Sequence, residues 1–173
     1  MTKVDLPIET ERLEIRPLRL DDAEQLHELY SDADAMRFLT GDVPSTIEES
    51  RGWVQAKIDL FERDDGLSLW AAVERATGEV VGDVGLQWED YDGRVVDLGC
   101  RVVPSRWGRG YAREASAAVL AAGFRDLDVE RICAATHVAN VAARRVLERL
   151  GGAYVRELEV YGLEMALYEF RRR

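Results

Sequence analysis

The sequence predicts an α+β fold: a mixed, mostly antiparallel sheet of seven strands with helices on both faces. Three observations lead there. The apolar pattern runs with a helical period in the first third and switches to a strand-like period near residue 67. Turn pairs at Thr77 with Gly78 and at Asp92 with Gly93 divide the strand-like stretch into hairpins. Helical and extended segments then take turns, giving the order β-α-α-β-β-β-α-β-α-β-β.

Residues 11–20 alternate, with Leu13, Ile15 and Leu18 apolar against Glu14, Arg16 and Arg19, which reads as a strand with one wet face. Asp21 stands three residues before Glu24 and starts a helix whose stripe is Ala23, Leu26, Leu29 and Tyr30. Ser45 and Glu48 form a second capping box, leading a helix with Ile47, Val54, Ile58 and Phe61 on one face. Strands follow over residues 67–75, 79–88 and 94–103. A helix from about residue 110 to residue 124 carries the small-residue face Ala112, Ala115, Val119, Ala122 and Gly123. A fifth strand covers residues 131–137, and Asn140 caps an amphipathic helix that stops at Gly151 and Gly152. Strands over 154–160 and 163–170 close the chain, with Arg171, Arg172 and Arg173 as a solvated tail. No repeat, low-complexity tract or linker interrupts the order, so residues 1–173 read as one domain.

Composition narrows the function classes. A net charge of −10 suits neither strand of a nucleic acid, and serves solubility first and attraction of a cationic partner second. No apolar run approaches the roughly 20 residues that span a bilayer, and the N-terminus lacks the apolar centre of a secretory signal. Cys100 and Cys133 make no disulfide framework, so a cytoplasmic location is expected, with no membrane or nucleic-acid partner. No metal-ligand spacing is present.

The sharpest local signal is Arg106-Trp107-Gly108-Arg109-Gly110-Tyr111-Ala112, between a strand and a helix. Gly108, Gly110 and small Ala112 let the backbone turn tightly and let a ligand approach its N–H groups. Those groups are the unpaired donors of a helix start, a ready seat for phosphate, and Arg106 and Arg109 add charge beside them. A plain tight turn would use the same glycines. A dinucleotide fingerprint fails at Arg113, where its third glycine belongs, and no Gly-Lys-Ser/Thr triplet of a Walker loop occurs.

The segments around this turn carry a resemblance. They are Thr10-Glu11-Arg12-Leu13-Glu14-Ile15-Arg16-Pro17, then Gly82 and Gly85, then Asp97-Leu98-Gly99-Cys100 leading into Trp107-Gly108-Arg109-Gly110-Tyr111-Ala112-Arg113-Glu114-Ala115. The last is Asn140-Val141-Ala142-Ala143-Arg144-Arg145-Val146-Leu147-Glu148-Arg149-Leu150-Gly151. With the element order, they make the chain resemble the GNAT superfamily of N-acetyltransferases, and its RimJ/RimL-like branch in particular.

The resemblance implies the GNAT-like acyl-CoA N-acyltransferase fold and direct transfer of acetyl from acetyl-CoA to a primary amine, on a protein N-terminus or a small molecule. It implies that Trp107, Gly108, Arg109, Gly110, Tyr111 and Ala112 wrap the cofactor pyrophosphate. Cys100 and Val102 would pair with the pantetheine arm like an added strand, and Asn140 would reach the cofactor across the gap. Asp97 aligns with a strand acid that serves as general base, with Glu89, Asp83 and His137 in reserve. Ala143 and Leu147 depart from the family pattern, which places a serine and a tyrosine there, so the acid for the leaving thiol is unassigned; Tyr161 and Tyr168 are stand-ins. These departures motivate the alternative of a non-catalytic acyl-CoA sensor. The family often dimerises, and the C-terminal hairpin is a natural seat for a homodimer. Cys100, without a neighbouring base, reads as a small core residue.

Overall fold

The computed structural model of the protein describes residues 3–39, 42–91 and 93–172. A two-residue strand that no alternation could reveal, β1 (Ile8–Glu9), comes first. Next is β2 (Leu13–Arg16), shorter than its pattern because Pro17 has no N–H for a ladder. Its inward residues Leu13 and Ile15 are fully buried. After one 3₁₀ turn, α1 (Ala23–Tyr30) buries the expected stripe of Ala23, Leu26, Leu29 and Tyr30. The single-turn α2 (Ala33–Met36) is too short to show a period.

In α3 (Ile47–Arg63) the capping box sits one residue later than the sequence suggested, on Thr46 and Glu49. The Thr46 side chain accepts from the Glu49 N–H at 3.2 Å, and the Glu49 carboxylate accepts from the N–H groups of Thr46 at 3.1 Å and Ser45 at 2.7 Å. Neighbouring Ser and Thr, with neighbouring Glu48 and Glu49, offered two registers. The later one lets Glu49 satisfy both entering amides.

The middle strands β3 (Ser68–Glu74), β4 (Val80–Asp90) and β5 (Arg94–Val102) fall close to their expected ranges, with β3 buried on both faces. Gly78 turns between the first pair with φ 74°, while of the second turn only Gly93 falls within the described residues, Asp92 lying outside them. Beyond are α4 (Tyr111–Asp126), β6 (Arg131–His137), α5 (Val141–Arg149), β7 (Ala153–Val160) and β8 (Leu163–Arg171). Of the tail, Arg171 and Arg172 are exposed as expected yet tied down, and Arg173 lies outside the described residues. Arg171 belongs to β8, and Arg172 donates its N–H to Glu130 and its guanidinium to the Leu127 carbonyl at 2.7 Å.

Among the described residues the sheet has eight strands rather than seven, in the order β1-β2-β3-β4-β5-β6-β8-β7. Every neighbouring pair is antiparallel except β5 and β6, which are parallel and, among the described residues, meet in register only at Asp97 and Cys133. One face carries α4 over Trp70, Leu86, Val96, Leu98 and Ile132; the other carries α1 and α3 over Ala71, Val73 and Val80. Gly123 lets α4 settle on its face, since a Cβ there would stand 2.6 Å from Leu86 and 2.8 Å from Ile132. A bulky side chain has no room to enter this contact. Gly123→Val is expected to destabilise the fold by about 1–3 kcal/mol through overpacking, read as a lower urea midpoint.

Candidate active site

The site follows from the single register point of the parallel pair. Beyond Asp97 and Cys133, β5 and β6 separate, so the edge of residues 98–102 that faces β6 has no strand partner among the described residues. A cavity of about 500 Å³ opens there and reaches both faces of the sheet. On the α4 side it is lined by Cys100, Ala112, Ser116, Asn140, Ala143 and Leu147. On the α1–α3 side it is lined by Phe38, Trp53, Lys57, Glu89, Asp97, Arg101, His137 and Tyr161.

The glycine turn stands at the first mouth. Gly108 and Gly110 have φ of 73° and 81°, the left-handed region where a Cβ is strained. Gly110 caps α4 without a side chain, and the N–H groups of Gly110, Tyr111, Ala112 and Arg113 find no acceptor among the described residues. They form a cradle of donors at the positive end of a helix, which fits a pyrophosphate. Arg109 and Arg113 are exposed beside it, and neither joins an ion pair among the described residues. Arg106 does not serve there: its guanidinium pairs with Glu74 and Glu79. Trp107 stands 52% exposed and donates its indole N–H to the Val102 carbonyl at 2.7 Å, so that backbone acceptor is already engaged.

The N-terminal motif turns out to be the brace of this loop. Glu114, in the first turn of α4, accepts from Thr10 Oγ1 at 2.6 Å, the Arg12 N–H at 2.9 Å and Arg12 Nε at 2.7 Å. Arg12 also donates to the Arg109 carbonyl at 2.9 Å and lies 4.4 Å from the Tyr111 ring. Burial alone would raise the Glu114 carboxyl, but the bonds from Thr10 and Arg12 outweigh it and hold the group below its ordinary value. The Tyr111 hydroxyl donates to Glu74, which the hydrogen bonds from Tyr111 and Thr77, with Arg106 nearby, hold below its ordinary value too.

At the second mouth, Asp97 is buried and its Oδ1 has no hydrogen-bond partner. Burial, then the Glu89 charge, pushes its carboxyl well above the ordinary range, while the Tyr91 hydroxyl and Ala135 amide pull the other way. Glu89 lines the same space and accepts from Tyr161 Oη and Gln87 Nε2, each at 2.9 Å. Asp83 is committed elsewhere, held by Arg101 at 2.8 and 2.6 Å and by the Tyr30 hydroxyl at 2.6 Å. His137 stacks on Phe38 with 5.0 Å between centroids, and its Nδ1 accepts the Ala139 N–H at 3.1 Å. That bond leaves Nε2 as a donor, which disfavours His137 as a base.

The remaining candidates sort by the same accounting. Asn140 caps α5 through Oδ1, accepting from Ala143 at 3.2 Å, and lines the cavity with its amide N–H₂ uncommitted among the described residues. Ala143 and Leu147 bring no hydroxyl to the wall. Tyr168 is buried between Arg144 and Glu148, away from the cavity. Tyr161 is at the β7–β8 tip, with the cavity on one side. The Cys100 thiol, pushed by burial up to about 11, is inert as a nucleophile. Sequence reasoning missed Lys57 and the Arg101–Asp83–Tyr30 cluster, because a polar residue that turns inward carries no periodic signature.

The family model described as "Acetyltransferase (GNAT) domain" matches residues 12–153. The YkkB protein of Bacillus subtilis is 30% identical over 162 residues, which cover 92% of each chain. A GNAT-family acetyltransferase from Bacillus anthracis superposes with a TM-score of 0.82 at 25% identity, covering 95% of this chain and 97% of that one. RimL, a ribosomal alpha-N-protein acetyltransferase solved with coenzyme A, shares the fold with a TM-score of 0.76 at 21% identity, over 95% and 97% of the two chains.

The Asp97 carboxyl has a measurable consequence for stability. Its folded-state pKa lies above the ordinary 3.8, so from about that pH upward the folded chain binds more protons at this group than the unfolded chain. Its contribution to stability therefore falls as pH rises through the window between the two values. Asp97→Asn, which keeps the shape and removes the charge, is expected to raise the thermal midpoint at neutral pH and flatten its pH slope above the ordinary carboxylate range.

Proposed function

The chain belongs to the GNAT family of acetyltransferases, and from that premise we propose that it transfers acetyl from acetyl-CoA to a primary amine. The observation that carries the reading is the notch between β5 and β6. It joins the donor cradle of α4 on one sheet face to the buried Asp97 on the other. The RimJ/RimL-like likeness supports the same reading, with the whole of residues 1–173 acting as one catalytic domain.

When bound, acetyl-CoA supplies a thioester whose acyl carbon an amine attacks, forming the C–N bond, breaking the C–S bond and releasing CoA thiol. The N–H groups of residues 110–113, with Arg109 and Arg113, hold its pyrophosphate. The free edge of β5 at Cys100 orients the arm that follows, and the Asn140 amide holds it from the α5 side. Asp97 takes the proton that the amine gives up. Its raised proton affinity brings it nearer the operating pH, where a general base works best. Glu89 and its Tyr161 partner attract the ammonium form of the acceptor to the same end.

The departing thiol has a pKa near that of cysteine, about 8.5, and leaves without a strong acid. The hydroxyl-free wall at Ala143 and Leu147 is therefore compatible with turnover. It is the one feature that favours a non-catalytic acyl-CoA sensor.

Release of CoA thiol from acetyl-CoA, followed across amino acids, polyamines and short peptides, tests the proposal; silence across the panel would leave the sensor. Gly110→Asp places a side chain and a negative charge in the cradle and is expected to abolish acetyl-CoA binding in calorimetry. Asp97→Asn is expected to lower kcat by about 10²–10⁴ and remove the acidic limb of the pH profile, with acetyl-CoA affinity preserved.

A further inference from the structure

The α1–α3 half of the cavity has charges of opposite sign at its two ends. Asp97, Gly99 and Arg101 alternate along one face of β5, so the Asp97 and Arg101 backbones stand roughly 13 Å apart at about 3.3 Å per residue. Asp97 and Glu89 occupy one end. At the other, the Arg101 guanidinium is neutralised by its double contact with Asp83. Lys57 stands beside it with no carboxylate within ion-pair distance among the described residues; Asp83, already held by Arg101 and Tyr30, acts on it only from further off.

The Lys57 ammonium lies 4.8 Å from the Tyr30 centroid and 5.5 Å from that of Trp53, and its one hydrogen bond among the described residues is a long 3.4 Å contact to the Trp53 carbonyl. Aromatic faces accommodate a cation without neutralising it. Burial first, then the neighbouring Arg101 charge, lowers the group to about 8 against an opposing pull from the Asp83 charge. The pyrophosphate cradle lies on the opposite face of the sheet, so the cofactor's phosphates are not the natural partner. The anion has to arrive with the acceptor.

We propose that the acceptor amine carries a carboxylate in the same molecule, seated by Lys57 while Asp97 and Glu89 take the amine end. This deepens the acetyltransferase reading and rests on it. A free amino acid, α or ω, has the required pair of charges; a polyamine does not. Lys57 thereby acts as a specificity-determining residue.

The test compares acid and amide forms of one amine: leucine with leucinamide, and 6-aminohexanoate with 6-aminohexanamide. Binding to the CoA-saturated protein is measured by calorimetry, and CoA release by thiol detection. At least one acid is expected to bind about ten-fold tighter than its amide, the gain of one charge-assisted hydrogen bond. Lys57→Met, close in volume to the chain it replaces, is expected to erase that difference while circular dichroism stays native. Equal affinities in the wild type, failure of both acids to bind, or an acid preference that survives Lys57→Met would each overturn the proposal. Turnover of spermidine alongside any of these would leave the acetyltransferase reading standing. Tight acid binding with no thiol release from any amine would do the reverse.

Discussion

The site depends on two parallel strands that share a single register pair among the described residues. β5 is held along its whole length by β4, and β6 along its whole length by β8. Between these two halves the only register contact among the described residues is Asp97 with Cys133. A continuous ladder would have closed the sheet and separated its faces. The divergence instead leaves a stretch of β5 edge unpaired, a buried carboxylate at its apex and a passage between the faces. Unpaired main chain costs free energy unless a ligand or water satisfies it, so the same gap that weakens the sheet gives a strand-like ligand somewhere to bind.

The second requirement is a helix end held open. A helix start offers free donors anywhere. This one is fixed by side chains from a distant part of the chain, Thr10 and Arg12 on Glu114 and Glu74 on Tyr111. With Arg12 40% and Glu114 19% exposed, the pair alone contributes no more than about 1 kcal/mol. Its consequence is positional. The carboxylates bond to neighbouring side chains and to the Arg12 amide, leaving the N–H groups of residues 110–113 uncommitted.

Sequence order and period carried the architecture well, because Leu26, Leu29 and Tyr30 or Val95 and Val96 must face a core. They failed where the signal is shorter than a period, as in β1 and α2, or ambiguous by one residue, as at Thr46 and Glu49. The glycines of the α4 turn were legible because φ above zero restricts residue type. Asp97 was legible only through a family likeness; its burial with one oxygen, Oδ1, left without a hydrogen-bond partner is a tertiary fact. Arg106 looked like a phosphate ligand by position, yet Glu74 and Glu79, far off in sequence, claim it. Lys57 was invisible for the same reason. Which charges end up paired is decided by packing between elements, and no local pattern reports it.

The central claim is that one ligand threads the notch, with its phosphates on α4 and its arm along β5. Amide chemical shifts during a titration of the isotope-labelled protein with CoA test it most directly. The account predicts that the N–H resonances of residues 110–113 and those of Cys100 and Arg101 move together along one saturation curve, while those of Asp128 and Glu130, past the far end of α4, stay in place. Saturable binding that leaves the residues 110–113 amides unmoved would contradict it.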